Sequence, residues 1–104
     1  MSHSDETVSE LVKTLAKNKV FGAPVRLAVM IYLLAREEAY FSDLVQVLDL
    51  TPGNLWSHLK KLESEGYIVL KRVIADRPRV KIALTQKGYE KIMEIILMIK
   101  KIKK

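Results

Sequence analysis

The sequence predicts a mainly α domain with one small β-hairpin, an α+β fold of 104 residues. Three observations lead there. Apolar residues recur at helical spacing in four stretches before Gly66. Between Tyr67 and Leu84 the period changes to alternation, and after Thr85 the helical period returns. These are the two patterns by which helices and strands bury one face. At 49% apolar residues the chain can build a single modest core and is too hydrophobic for a disordered segment. One domain over residues 1–104 is expected, with an N-terminal helix at 7–18, a core at 24–84 and a C-terminal helix at 85–104.

Thr7 and Glu10 stand as T-x-x-E, a capping-box pattern, with Val8, Leu11, Val12 and Leu15 at helical spacing around them. Gly22 and Pro24 mark a break. A second helix follows from about Pro24 to Arg36; it is apolar on most sides, which places it centrally in the core. A connection over 37–41 includes one short extended segment at 39–41. Ser42 is placed to cap a third helix, 42–48, with Asp43 in its first turn and Leu44, Val45 and Leu48 facing inward.

Only Asp49 and Leu50 separate that helix from the best-defined stretch of the chain, TPGNLWSHLKKLESEG at 51–66. Thr51 suits the N-cap, and Pro52 sits at the first helical position, where its missing N–H costs nothing. Leu50 and Leu55 are spaced as a hydrophobic staple; Gly66 can take the left-handed stop, which brings Tyr67 onto Leu62 in a Schellman motif. At about 100° per residue, Leu55, Leu59 and Leu62 form the inner stripe. Gly53, Ser57, Lys60, Lys61 and Ser64 fall outside, a small, polar and basic face suited to close approach by a polyanion. Two helices joined by so short a turn make a helix-turn-helix pattern. The plain alternative is an ordinary solvated helix face.

In 67–74, Ile68, Leu70 and Ile74 share a face that Arg72 breaks; Val80, Ile82 and Leu84 alternate again. Ala75-Asp76-Arg77-Pro78 reads as a tight turn, with Pro78 at its edge because proline cannot serve mid-strand. The product is a two-stranded hairpin with Arg72, Arg77, Arg79 and Lys81 along its outside. Charge protection of an edge strand is the alternative account of those cations. Thr85 can cap the last helix, with Leu84 and Tyr89 spaced as a staple. The apolar positions of that helix, among them Ile92, Ile95, Ile96 and Ile99, exceed one stripe. The excess predicts a two-fold dimer built on these residues together with Leu11 and Leu15, unless a longer intramolecular surface uses them.

The net charge is +6, and its distribution is uneven. Residues 1–50 carry five Lys and Arg against seven Asp and Glu; residues 51–104 carry thirteen against five. A basic half that begins with the capped helix suggests nucleic acid or another anionic surface.

The order of elements resembles a winged helix-turn-helix with a long C-terminal dimerisation helix. TPGNLWSHLKKLESEGYI is similar to the recognition helix and following strand of ArsR-, MarR- and PadR-type transcriptional regulators. RPRVKIALTQKG is similar to their wing strand running into the last helix, and APVRLAVMIYLLA resembles the core helix that opens many such domains. The resemblance implies that residues 52–64 enter the major groove of double-stranded DNA. Base edges would be met through Asn54, Ser57, Thr51 or Trp56, over the small Gly53. Lys60 and Lys61 would bind phosphate. The wing, 72–81, would reach the minor groove or backbone through Arg72, Arg77, Arg79 and Lys81. Physical chemistry agrees: a helix fits the major groove, asparagine can pair with adenine, and arginine is drawn to a narrow minor groove. Trp56, on the flank of that helix, either packs on a neighbouring element or touches the DNA.

The expected function is therefore sequence-specific DNA binding by a homodimeric transcriptional regulator, in the cytoplasm and associated with the nucleoid. A protein-interaction module of a larger complex, or a non-specific architectural DNA-binding protein, is the alternative. No membrane partner is expected, since no apolar run approaches the length needed to span a bilayer. The polar, acidic opening MSHSDETVSE carries no secretory pattern. No cofactor or metal is expected. The chain has no cysteine, and its two histidines are His3, in a terminus expected to be loose, and His58, whose place beside the apolar stripe suits packing or hydrogen bonding. No catalytic motif is present, and adjacent Ser57 and His58 point about 100° apart on a helix. The chain is expected not to be an enzyme, and its length leaves little room for a dedicated effector pocket.

Overall fold

The computed structural model describes residues 3–18, 23–74 and 76–102. The break expected around Gly22, the turn residue Ala75 and the terminal Lys103 and Lys104 lie outside them. The elements are α1 (His3–Lys17), α2 (Pro24–Arg36), β1 (Glu38–Tyr40), α3 (Phe41–Leu48), α4 (Pro52–Ser64), β2 (Ile68–Ile74), β3 (Pro78–Leu84) and α5 (Gln86–Ile102).

Five helices and the alternating hairpin fall where the periodicity puts them, with three corrections. First, α1 begins at His3, so the T-x-x-E pattern at Thr7 lies inside a helix rather than at its start, and His3 is helical. Second, Tyr40, not Ser42, stands at the N-cap of α3; the Asp43 carboxylate accepts from the Tyr40 backbone N–H at 3.3 Å. Third, the hairpin is part of a three-stranded antiparallel sheet in the order β1-β3-β2. β1 pairs with β3 from Glu38 opposite Ala83 to Tyr40 opposite Lys81.

The core lies between α2, the inner stripe of α4 and one face of the sheet. Val29, Met30 and Leu33 of α2, Leu44 of α3, Leu55, Leu59 and Leu62 of α4 and Ile82 of β3 are all fully buried. Pro24 at the first turn starts α2, and Pro52 starts α4. The turn between α3 and α4 is closed by Asp49 at φ 52°, a left-handed conformation that aspartate tolerates better than most residues.

α1 packs chiefly on α5, and the two helices form an arm that extends from the body. The extents are 57 × 23 × 21 Å and the radius of gyration is 15.2 Å. A compact chain of this length would have a radius of gyration of about 13 Å. Leu11 of α1 and Ile92 and Ile95 of α5 are buried inside this arm. Three of the residues expected at a dimer interface therefore serve intramolecular packing, in a core to which α1, α2 and β3 all bring contacts with α5. Leu15 and Ile96 are half-buried against the same cluster, and only Ile99 of the expected set is well exposed. Among the described residues, the large exposed hydrophobics of the arm are Val8, Val12, Tyr89, Leu97 and Ile99.

Candidate nucleic-acid interface

The local chemistry of α4 fixes both of its ends. Thr51 Oγ1 accepts from the Asn54 backbone N–H at 3.2 Å, which satisfies one of the orphan donors of the first turn. At the other end Gly66 adopts φ 77°. Its N–H donates to the Glu63 carbonyl at 2.9 Å, and the Tyr67 N–H donates to the Leu62 carbonyl at 3.1 Å. That pair of bonds is the Schellman motif, and Tyr67 and Leu62 are both buried beside it.

The same end is fastened to the start of α5. Thr85 Oγ1 donates to the Gly66 carbonyl at 2.6 Å, the Thr85 N–H donates to the Tyr67 carbonyl at 3.1 Å, and Lys87 Nζ donates to the Glu65 carbonyl at 2.8 Å. Thr85 Oγ1 also accepts from the Gly88 N–H at 3.0 Å, capping α5. Gly88 lies so close that a Cβ there would overlap the Tyr67 carbonyl. The sequence pointed to Thr85 as a cap but not to its bond across to Gly66; the further signal for the junction is Gly88, a glycine inside a helical pattern, a cost of about 1 kcal/mol that usually has a packing reason.

With its ends fixed, α4 presents one continuous outer face. Gly53, Asn54, Trp56, Ser57, Lys60 and Lys61 are all exposed. A Cβ on Gly53 would meet no atom within 4 Å, so no neighbour demands a glycine there. Among the described residues, Asn54, Ser57 and Lys61 have no side-chain partner. Lys60 differs, because its Nζ is 2.7 Å from Glu63 Oε1 and lies over the Trp56 ring at 5.7 Å. Trp56 is half-packed: its ring meets Phe41 of α3 edge-on, at a centroid distance of 6.0 Å, and the side chain remains 39% exposed.

His58 has the hydrogen-bonding role its position suggested. Arg26 Nη1 of α2 donates to its Nδ1 at 3.1 Å. Because a guanidinium only donates, the neutral ring carries its proton on Nε2. Partial burial, and then the charge of Arg26, hold the imidazole pKa below its ordinary 6.5.

The hairpin cations do not all share one side, which corrects the expectation that they run together along its outside. Arg72 is opposite Val80, in register with Leu70 and Ile82, so it belongs to the face that enters the core and emerges beyond the body. Arg79 and Lys81 are opposite Val73 and Lys71, on the other face. They are also held. Arg79 Nη2 pairs with Asp76 at 3.2 Å and stacks over Tyr40 at 5.1 Å; Lys81 pairs with Glu38 at 3.2 Å. Arg72 and Arg77 are exposed and have no side-chain partner among the described residues. Ile74, at the tip, is 85% exposed.

The winged helix DNA-binding domain family matches the chain over residues 25–102. The chain belongs to this family. The chain is 41% identical over 71 residues to an uncharacterized protein of Methanocaldococcus jannaschii, covering 67% of this chain and 77% of the relative. It is 45% identical to the transcriptional regulator homologue protein from Pyrococcus horikoshii OT3, with a TM-score of 0.80 over 88% of this chain and 91% of that one. It is also similar to overoxidized AbfR bound to DNA: 26% identity, TM-score 0.70, covering 93% of this chain and 74% of that one. AbfR is one of the MarR-family transcriptional regulators that share this fold, so the fold and family are those of regulators and not of enzymes. In winged-helix terms α3 and α4 are the helix-turn-helix and β2–β3 is the wing. No helix among the described residues is long and apolar enough to cross a membrane.

Proposed function

We propose that the chain is a homodimeric, sequence-specific transcriptional regulator that places α4 in the major groove of double-stranded DNA and its wing on the minor groove or backbone. The observation that carries this reading is the outer face of α4. Its polar donors are exposed, without side-chain partners among the described residues at Asn54, Ser57 and Lys61, and held on a helix that is fixed at both ends. Asn54 and Ser57 are suited to base edges, and Lys60 and Lys61 to phosphates. Arg72 and Arg77 are the wing cations without a side-chain partner among the described residues, whereas Arg79 and Lys81 supply positive field from fixed positions. Thr51 is occupied as a cap and retains only its hydroxyl proton for a phosphate.

The dimer in this reading is supported by the extended α1–α5 arm and its exposed Val8, Val12, Leu97 and Ile99. A two-fold axis on the arm would set two α4 helices about 34 Å apart, one turn of DNA. Selection of bound fragments from random duplexes tests the whole reading. The expected result is an inverted repeat, bound with log K falling against log salt at a slope of about −5 to −7 for roughly 6–8 neutralised phosphates. Recovery of unenriched sequence would leave only non-specific binding, and no retention of duplex would point to a protein partner instead.

A further inference from the structure

Ile74 is 85% exposed, and among the described residues no other large hydrophobic exceeds 56%. It occupies the last paired rung of the wing, opposite Pro78, which is exposed too. Directly opposed residues of an antiparallel pair lie on the same side of the sheet, so Ile74 and Pro78 stand together there. Packing does not call for them. Strand propensity would be met as well by threonine, with less apolar surface in water.

The rung is held out from the body. β1 ends at Tyr40, opposite Lys81, so the outer pairs Arg72–Val80, Val73–Arg79 and Ile74–Pro78 form a ribbon of two strands. At about 3.4 Å per residue, that ribbon runs roughly 10 Å past the end of β1. A minor groove is about 7.5 Å deep and 6 Å wide, so the rung reaches base edges if the groove widens. The charges around it suit such a target. Arg72 lies two residues behind Ile74 on the same side, and Arg77 precedes Pro78. Lys71, Arg72 and Arg77 are exposed and without a side-chain partner among the described residues. The one carboxylate of residues 67–84, Asp76, is paired with Arg79. An apolar end ringed by unanswered cations fits a partner that is anionic outside and apolar within. Stacked bases between phosphates meet that description, and the basic outer face of α4 suits the same partner. A lipid surface meets it less well, because binding there scales with buried apolar area and two side chains supply little.

We propose that the wing bends DNA: Ile74, backed by Pro78, enters a base step from the minor groove and unstacks it, while Arg72 and Arg77 hold the flanking phosphates. This deepens the DNA-binding reading and rests on it. Isoleucine and proline are among the side chains that part base steps in this way, and the resulting kink of about 20–90° opens the minor groove. Pyrimidine–purine steps open with least resistance. The wing therefore adds a preference for a TA or CA/TG step beside the bases read by α4, at a position where no base edge is hydrogen-bonded.

The test titrates the full chain, at low salt, into a mixed-sequence duplex of about 30 base pairs that contains TA steps and carries a donor and an acceptor dye on its two ends. Anisotropy reports binding, and energy transfer reports the distance between the ends. A bend of about 60° should raise transfer roughly twofold at saturation. Thymines at the opened step should become reactive to permanganate, which attacks thymine where it is unstacked. Ile74→Ala, at an exposed position, should keep the fold and the salt slope while losing the rise in transfer and the thymine reactivity; Ile74→Phe should restore both. Arg72→Ala/Arg77→Ala should weaken binding and lower the salt slope by about one unit per lost phosphate contact, with the bend kept at saturation. Binding without a rise in transfer, or a rise that Ile74→Ala retains, would overturn the wedge and leave the DNA reading standing. No rise in anisotropy would end both. Capture on vesicles of equal phosphatidylglycerol and phosphatidylcholine that Ile74→Ala abolishes, with transfer on the duplex unchanged, would move the apolar end to lipid and overturn the proposal.

Discussion

Arg26 Nη1, on α2, donates to His58 Nδ1, on α4, across 3.1 Å. The bond ties α4 to the core helix α2 through a neutral imidazole. Burial and the neighbouring guanidinium lower the folded pKa of His58 below 6.5, its value in the unfolded chain. Below pH 6.5 the unfolded chain therefore takes up this proton first, and stability falls with pH until the folded ring is protonated too. His58→Gln, whose amide oxygen can still accept from Arg26, should flatten this part of the stability profile. Urea unfolding between about pH 8 and pH 5 would check it; parallel profiles for variant and parent would assign the pH dependence to other groups.

Gly53 separates stability from binding. An alanine there meets no neighbour. Gly53→Ala should therefore leave the fold intact or stabilise it by up to about 1 kcal/mol through helix propensity. If DNA approaches the α4 backbone closely, the same change should weaken duplex binding. Thermal unfolding and a binding titration on one preparation would read both signs, and unchanged affinity would move the DNA contact away from the first turn.

Gly88 behaves oppositely. Gly88→Ala forces a methyl into the Tyr67 carbonyl, a contact between two backbones that no side-chain rotation relieves. The expected loss is about 3 kcal/mol or more, at the upper end for overpacking. Chemical denaturation would measure it, and a near-neutral result would mean that α5 can slide at its first turn.

Glu63 restrains Lys60. The pair is solvent-exposed, so its contribution to stability is small, about 0–1 kcal/mol. Glu63→Gln should leave the melting temperature almost unchanged while freeing the ammonium for phosphate. Duplex binding should tighten at low salt, and the salt slope should steepen by about one unit per added phosphate contact. An unchanged slope would show that Lys60 faces no phosphate.

Leu97 and Ile99 test the arm. Both are on α5 and close to half-exposed, at 48% and 45%. Leu97→Glu/Ile99→Glu should leave the helical content intact and turn dimers into monomers in sedimentation, with loss of cooperative binding to an inverted repeat. Ile95 would be a poor choice because it is 1% exposed and its replacement would unfold the arm. A dimer that survives the double change would have its axis elsewhere.

The difference between Ile95 and Ile99 shows where sequence reasoning stops. Periodicity reports that a residue is apolar on a given stripe, and nothing in it says whether α1 or another chain covers that stripe. The T-x-x-E at Thr7 failed for a related reason: the same local pattern occurs within helices, and α1 simply continues upstream. β1 is three residues long, too short for any period, and exists through its pairing with β3. α4 was legible because its start and stop are written in neighbouring residues, Thr51, Pro52 and Gly66. The hairpin's alternation was legible too, and it already put Arg72 on the stripe of Leu70. The ion pairs of Lys60, Arg79 and Lys81 were not, since Glu38 lies far from Lys81 in sequence and side-chain reach decides the others.

The junction of Gly66 and Tyr67 with Thr85 and Gly88 leaves no hinge between the end of α4 and the root of α5. In a two-fold assembly joined through α5, each reading head would therefore swing with its own arm as one lever. The separation of the two heads, and with it the spacing of an acceptable operator, would be decided at the subunit contact, by residues that never touch a base.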